Sequence, residues 1–102
     1  MIKLGLYVLN EHELKKVSAI FNALSNPTRL KIIKLVSETE RPLHIKALAK
    51  AVGKDYAAVY RHVGVLVKIG VVGIYDVGRS RVIYLKNSDT VKECIRIAKK
   101  ML

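Results

Sequence analysis

The chain has 102 residues, of which 51% are hydrophobic and 26% charged; this excludes a disordered polymer and fits one domain with a limited core of its own. Nineteen Lys and Arg against eight Asp and Glu leave a net charge of +11, an excess that asks for a polyanionic partner, nucleic acid before an anionic membrane surface. The single cysteine, Cys94, excludes an intrachain disulfide and a thiolate metal cage within one chain, and no apolar run reaches the length of a membrane span.

The positive charge is uneven. Residues 41–86 carry nine basic and two acidic side chains, whereas residues 1–40 carry six and four, and residues 87–102 four and two. The field therefore centres on the middle of the chain. Residues 1–10 lack a basic start followed by a cleavage site and do not read as a signal peptide, and the cysteine usage fits a cytoplasmic protein. The lack of Gln and Trp, with many Lys, Ile and Val, leans toward a thermophile.

In chain order, Ile2, Leu4, Leu6 and Val8 alternate with their neighbours and predict a short strand. Asn10 then offers a cap for a helix whose apolar face is Leu14, Val17, Phe21 and Leu24. Asn26-Pro27 is a sharp helix start: Asn caps well, and Pro in the first turn loses no needed N–H. The helix it opens carries Leu30, Ile32, Ile33, Leu35 and Val36, apolar around much of its girth, and is expected to be the central buried one. Arg41-Pro42 ends that region. A third helix is expected over 44–52, with Ile45, Leu48, Ala49 and Val52 inward and Gly53 at a C-cap position.

Asp55 stands where an N-cap belongs, and Val59, Val63, Leu66 and Ile69 give the fourth helix one apolar stripe before Gly70 stops it. Residues 71–77 and 81–86 read as strands joined by Gly78-Arg79-Ser80, a hairpin. Asn87-Ser88-Asp89 is expected to cap a last helix over 90–102. Its apolar residues are Val91, Cys94, Ile95, Ile97, Ala98, Met101 and Leu102, with Cys94 read as a small buried hydrophobe and a disulfide across a dimer axis as the alternative.

Two short helices around a tight Gly turn, the second amphipathic, make a helix-turn-helix, and a basic hairpin directly after it makes the winged form. The fold class is thus mainly α with a small β-hairpin (α+β), about five helices plus a wing, in a single domain over 1–102. Residues 43–70 form the helix-turn-helix and 71–86 the wing. A helix fits the major groove of duplex DNA and reads base edges from its N-terminal half. On the fourth helix that face carries Tyr56, Ala57, Tyr60 and Arg61 as candidate base contacts; packing is the alternative for the two tyrosines. Lys46, Lys54, Lys68, Arg79, Ser80 and Arg81 are candidates for phosphates, the last three placed at the wing tip, where arginines reach phosphate or the minor groove. Asp55 is read as the cap of Ala57 or Ala58 N–H, which aims the positive helix end at the backbone. His62 beside the apolar stripe reads as a packed, hydrogen-bonded histidine, and His12 and His44 share no chelating spacing.

The residues from Phe21 to Leu30, with Ala23-Leu24-Ser25-Asn26-Pro27-Thr28-Arg29-Leu30 at their centre, resemble the "ALSDPTRLRIL" helix of ArsR-like bacterial and archaeal repressors. Residues 52–72 align without gaps to that family's "LGLSQPTVSRHLKVLREAGLV" pattern, so the resemblance covers about residues 11–86. It implies a homodimer built from the first and last helices (1–25 and 89–102), with two recognition helices facing successive major grooves. The expected interface residues are Leu14, Val17, Phe21, Val91, Ile95, Ala98 and Leu102. Metal sensing is not implied: the family's Cys-Val-Cys falls on His44-Ile45-Lys46, and the last helix lacks the paired Asp/His and His/Glu pattern of the zinc sensors.

The expected function is a sequence-specific regulator of transcription, a repressor, acting on double-stranded DNA as a homodimer in the cytoplasm, associated with the nucleoid. The alternatives are a non-specific architectural or chromatin binder, and a winged-helix module for protein contacts. No Ser-His-Asp context, carboxylate pair, phosphate-cradling Gly loop or metal motif is read, so no enzyme activity, cofactor or membrane partner is expected, and the residues name no effector.

Overall fold

A computed structural model describes residues 9–102; the strand expected around Ile2, Leu4, Leu6 and Val8 lies outside the described residues. Helix α1 spans Glu11–Leu24 and starts in a capping box, with Glu13 N–H donating to Asn10 Oδ1 at 2.8 Å and Asn10 N–H to Glu13 Oε1 at 3.4 Å. Helix α2, Pro27–Ser37, begins where Thr28 and Arg29 N–H donate to Asn26 Oδ1 at 2.9 and 3.1 Å. It buries Ile32, Ile33 and Val36, but Leu30 is exposed and Leu35 only half-buried, so α2 is buried along one side and not around its girth.

A two-residue strand, β1 (Leu43–His44), precedes helix α3 (Ile45–Val52). It was not expected, because two residues have no periodicity to read. Helix α4, Tyr56–Lys68, buries Val59, Val63 and Leu66 completely. Strands β2 (Val72–Val77) and β3 (Ser80–Leu85) follow, and helix α5 covers Ser88–Lys99, two residues earlier at its start than expected and ending before the C-terminus.

The sheet has the order β1-β3-β2, antiparallel throughout. Its register places Leu43 opposite Ile83, Ile74 opposite Ile83, and Val72 opposite Leu85, so one face presents these five to the helices. Gly73 faces Tyr84 across the ladder, and the Tyr84 ring occupies the space that a Cβ at Gly73 would need. Tyr84 also meets Tyr75, ring centroids 5.7 Å apart. The core joins α2, α3, α4 and the sheet; from α5 it takes Val91, with Ile95 half-buried against it.

Three expectations about α5 are corrected. Val91 is only 6% exposed and packs into the core of its own chain, so it cannot serve a partner interface. Cys94 is exposed and not buried. Asn87 does not cap with its side chain; it adopts the left-handed region (φ 51°) and its Nδ2 donates to the Gly70 carbonyl at 3.1 Å, tying the start of α5 to the end of α4. No described helix is long and apolar enough to cross a membrane.

Candidate nucleic-acid interface

The interface is built on α4, and both of its ends are pinned by local geometry. Gly53 takes φ 77°, which a residue with a Cβ adopts only under strain. Its N–H donates to Lys50 O at 3.3 Å while Lys54 N–H donates to Ala49 O at 3.1 Å, closing α3 in a Schellman turn. Two residues later Asp55 is extended, and its Oδ1 accepts from Ala58 N–H at 2.7 Å. The carboxylate thus satisfies an orphan donor at the positive end of the helix dipole. At the other end Gly70, again at φ 77°, repeats the turn, with Val71 N–H donating to Leu66 O at 3.1 Å.

With Val59, Val63 and Leu66 turned into the core, the opposite side of α4 is forced outward. It presents Tyr56 (42% exposed), Ala57, Tyr60 (37% exposed) and Arg61, all four on the surface. The two tyrosines are one turn apart and their rings tilt against each other with centroids 6.1 Å apart. Lys46 on α3, Lys54 in the turn and Lys68 at the far end of α4 are also exposed.

The wing departs from expectation. Ser80 already belongs to β3, paired opposite Val77, so the connection is the two residues Gly78-Arg79. Gly78 has φ 60° and Arg79 does not, the combination of a type II′ hairpin turn. Only Arg79 therefore stands at the tip. Arg81 pairs opposite Asp76, its Nε 3.5 Å from the carboxylate, and its guanidinium lies 4.9 Å from the centre of the Tyr60 ring. Arg81 thus braces the wing against α4 through a cation–π contact. That contact is between residues twenty-one apart in the chain and has no local signal.

His62 is half-buried on α4, as expected of a packed histidine, but the hydrogen bond expected of its ring is not seen among the described residues. Its pKa is lowered below 6.5 by burial first, and then by the charges of Arg29, Lys54 and Arg61. Arg29, in the first turn of α2, was not considered as a site residue; its Nε is buried and has no hydrogen-bond partner among the described residues. Among the described residues no group of three His, Cys, Asp or Glu side chains is placed to hold a metal ion.

Comparison with known proteins places this geometry in a fold. The family model HVO_A0114 matches residues 24–91. A search of curated proteins finds no match. Among solved structures, Rv0081 of M. tuberculosis superposes with a TM-score of 0.74 at 24% identity, covering 91% of this chain and 90% of that one. The homodimeric winged helix-turn-helix DNA-binding domain Mb0332 of Mycobacterium bovis, described as a possible ArsR-family transcriptional regulator, gives a TM-score of 0.76 at 18% identity, covering 93% and 91%. NolR from Sinorhizobium fredii gives 0.76 at 21% identity, covering 99% and 96%. At these identities the likeness is one of fold: five helices and a three-stranded antiparallel sheet in the winged helix-turn-helix arrangement.

Proposed function

The chain belongs to the HVO_A0114 family, and from its winged-helix fold we propose that it is a regulator of transcription that binds duplex DNA sequence-specifically as a homodimer. The observation that carries this reading is the outward face of α4: Tyr56, Ala57, Tyr60 and Arg61 exposed at the N-terminal half of a helix capped and pinned at both ends, inside the most basic part of a chain of net charge +11. Tyr56, Ala57, Tyr60 and Arg61 enter the major groove, Arg61 donating to guanine and the tyrosines touching phosphate or thymine methyls. Lys46, Lys54, Lys68 and Arg79 hold phosphates, Ser80 stands next to the tip, and Arg81 aligns the wing with α4.

The whole chain acts as one winged-helix unit, residues 43–70 reading DNA and 71–86 forming the wing. Dimerisation uses α1 and α5, where Leu14, Phe21, Ala98 and Leu102 are exposed, Val17 is half-buried, and Ile95 is half-buried against the chain's own core. The homodimeric state of Mb0332 supports this arrangement. Such a dimer acts as a repressor by occupying a promoter, works in the cytoplasm at the nucleoid, and needs no cofactor; its composition suits a thermophilic source.

In vitro selection of bound duplex DNA at stated salt tests the reading. It is expected to return a pseudo-palindrome with half-sites about one helical turn apart. Arg61→Ala then costs about 1–3 kcal/mol on that site and relaxes the preference at one position, whereas Arg79→Ala weakens all duplexes alike and flattens the salt dependence. Equal affinity for the selected site and random duplex would replace the reading with a non-specific architectural binder.

A further inference from the structure

We propose that Asp76 is a positioning residue for sequence discrimination: its carboxylate keeps Arg81 against the Tyr60 ring, so that Arg81 fixes how the wing and that ring meet the duplex instead of pairing with the nearest phosphate. The inference rests on the duplex-binding reading above and adds to it a residue whose charge has the wrong sign for contact with DNA.

Residues 41–86 hold two carboxylates, Asp55 and Asp76. Asp55 is committed to the Ala58 N–H at 2.7 Å. Asp76 has no helix to cap. It lies on β2, two residues before Gly78 at the wing turn, and its side chain is 71% exposed. A carboxylate there repels the phosphates that Arg79 is proposed to hold, so its presence asks for a reason. The strand register supplies one: Asp76 stands directly opposite Arg81, with Oδ1 3.5 Å from Arg81 Nε. An exposed pair of this kind adds little to stability; its effect is on where the guanidinium rests.

The guanidinium has a second contact. Its central carbon lies 4.9 Å from the centre of the Tyr60 ring on α4. Tyr60 in turn meets Tyr56, ring centroids 6.1 Å apart. Asp76, Arg81, Tyr60 and Tyr56 thus form one line of contacts from the wing to the first turn of α4. A planar guanidinium can give its edge to a carboxylate and its face to an aromatic ring at once, which a lysine ammonium cannot. Held in this way, Arg81 and Tyr60 keep fewer rotamers, and less order has to be imposed on them when DNA binds. Neither contact is strong alone. Without the carboxylate, a phosphate competes for Arg81 on better terms than a ring does, and the cation passes from a brace to a sequence-independent contact.

The test compares Asp76→Asn with the wild-type full chain on two duplexes, the selected site and a random sequence, across a range of salt. Asp76→Asn is expected to lower the preference for the selected site by about three- to tenfold, the loss of one modest contact. Affinity for random duplex is expected to rise, and its salt slope to steepen by about one, because Arg81 then neutralises a phosphate. Arg81→Lys is expected to lose preference to the same extent, and Asp76→Glu to restore part of what Asp76→Asn loses. In the free protein the Arg81 side-chain NMR signals carry the ring-current shift of Tyr60, and they are expected to lose it in Asp76→Asn. If Asp76→Asn tightens both duplexes by the same factor, Asp76 is a repulsive charge only, and the proposal is overturned while sequence-specific binding stands. Loss of preference with the Arg81 signals unmoved also overturns it. Equal wild-type affinity for the two duplexes overturns both readings.

Discussion

The middle of the chain and its two flanking helices solve the problem of apolar surface in opposite ways. From α2 to β3 the apolar stripes close on one another: Ile32, Ile33, Leu48, Val59, Val63, Leu66, Val72 and Ile83 are fully or almost fully buried. Helix α1 buries only Ala23, and α5 only Val91. What they leave outside is large, with Phe21 67% and Ile97 46% exposed. A small domain cannot cover every apolar face it carries, and here the uncovered faces sit at the two ends, away from the basic centre. The contrast separates a region that one chain completes from a region that a second copy would complete.

That contrast can be broken most forcefully in the core. Leu66→Ala is expected to cost about 2–5 kcal/mol, read as a drop in the denaturation midpoint that does not depend on protein concentration. In the flanks the same amount of apolar surface behaves differently. Phe21→Asp is expected to weaken self-association by about a hundredfold or more, measured by analytical ultracentrifugation, with the helical signal of the dilute chain unchanged. If Phe21→Asp unfolded the isolated chain, or left association as it was, the flanks would belong to the same category as the core.

Smaller effects sharpen the boundary. Asp55→Ala removes one cap bond and is expected to cost about 1 kcal/mol, with faster hydrogen exchange confined to the first turn of α4. The smallest effect is that of His62 on stability. Its pKa in the folded chain lies below 6.5, so below that pH the unfolded chain takes up the proton first. The contribution is complete above pH 6.5 and is lost as pH falls from there toward the folded value. Urea denaturation of the wild type against His62→Gln across that window is expected to show the slope in the wild type only.

Much of the fold was readable because its signals are short-range. Asn10 with Glu13, Asn26-Pro27, Gly53, Asp55 and Gly70 each act within about one helical turn, and each does what its residue type suggests. The stripe Val59, Val63, Leu66 announced which side of α4 is inward, and by subtraction which side is free for a ligand. The wing was readable as a hairpin but not to the residue, since Ser80 pairs with Val77 and shortens the turn to Gly78-Arg79.

Other features lie beyond any local pattern. Strand β1 exists only because β3 offers it an edge, at Leu43–Ile83 and His44–Val82. On α5 the apolar residues share one broad face, and periodicity could not decide which part of it turns inward at Val91 and which stays exposed at Cys94; the position of α5 against the core decided it. The same holds for Arg81 resting on Tyr60 and for Asn87 reaching Gly70.

Amino-acid order alone was enough for the kinds of element, most of their caps, their sequence along the chain and the outward face of α4. These depend on bonds and rotamers within a few residues. Packing decided the third strand, the bracing of the wing and the inward residue of α5. Each of those joins side chains from segments far apart in the chain, and their meeting is a property of the assembled core, which no stretch of residues encodes by itself.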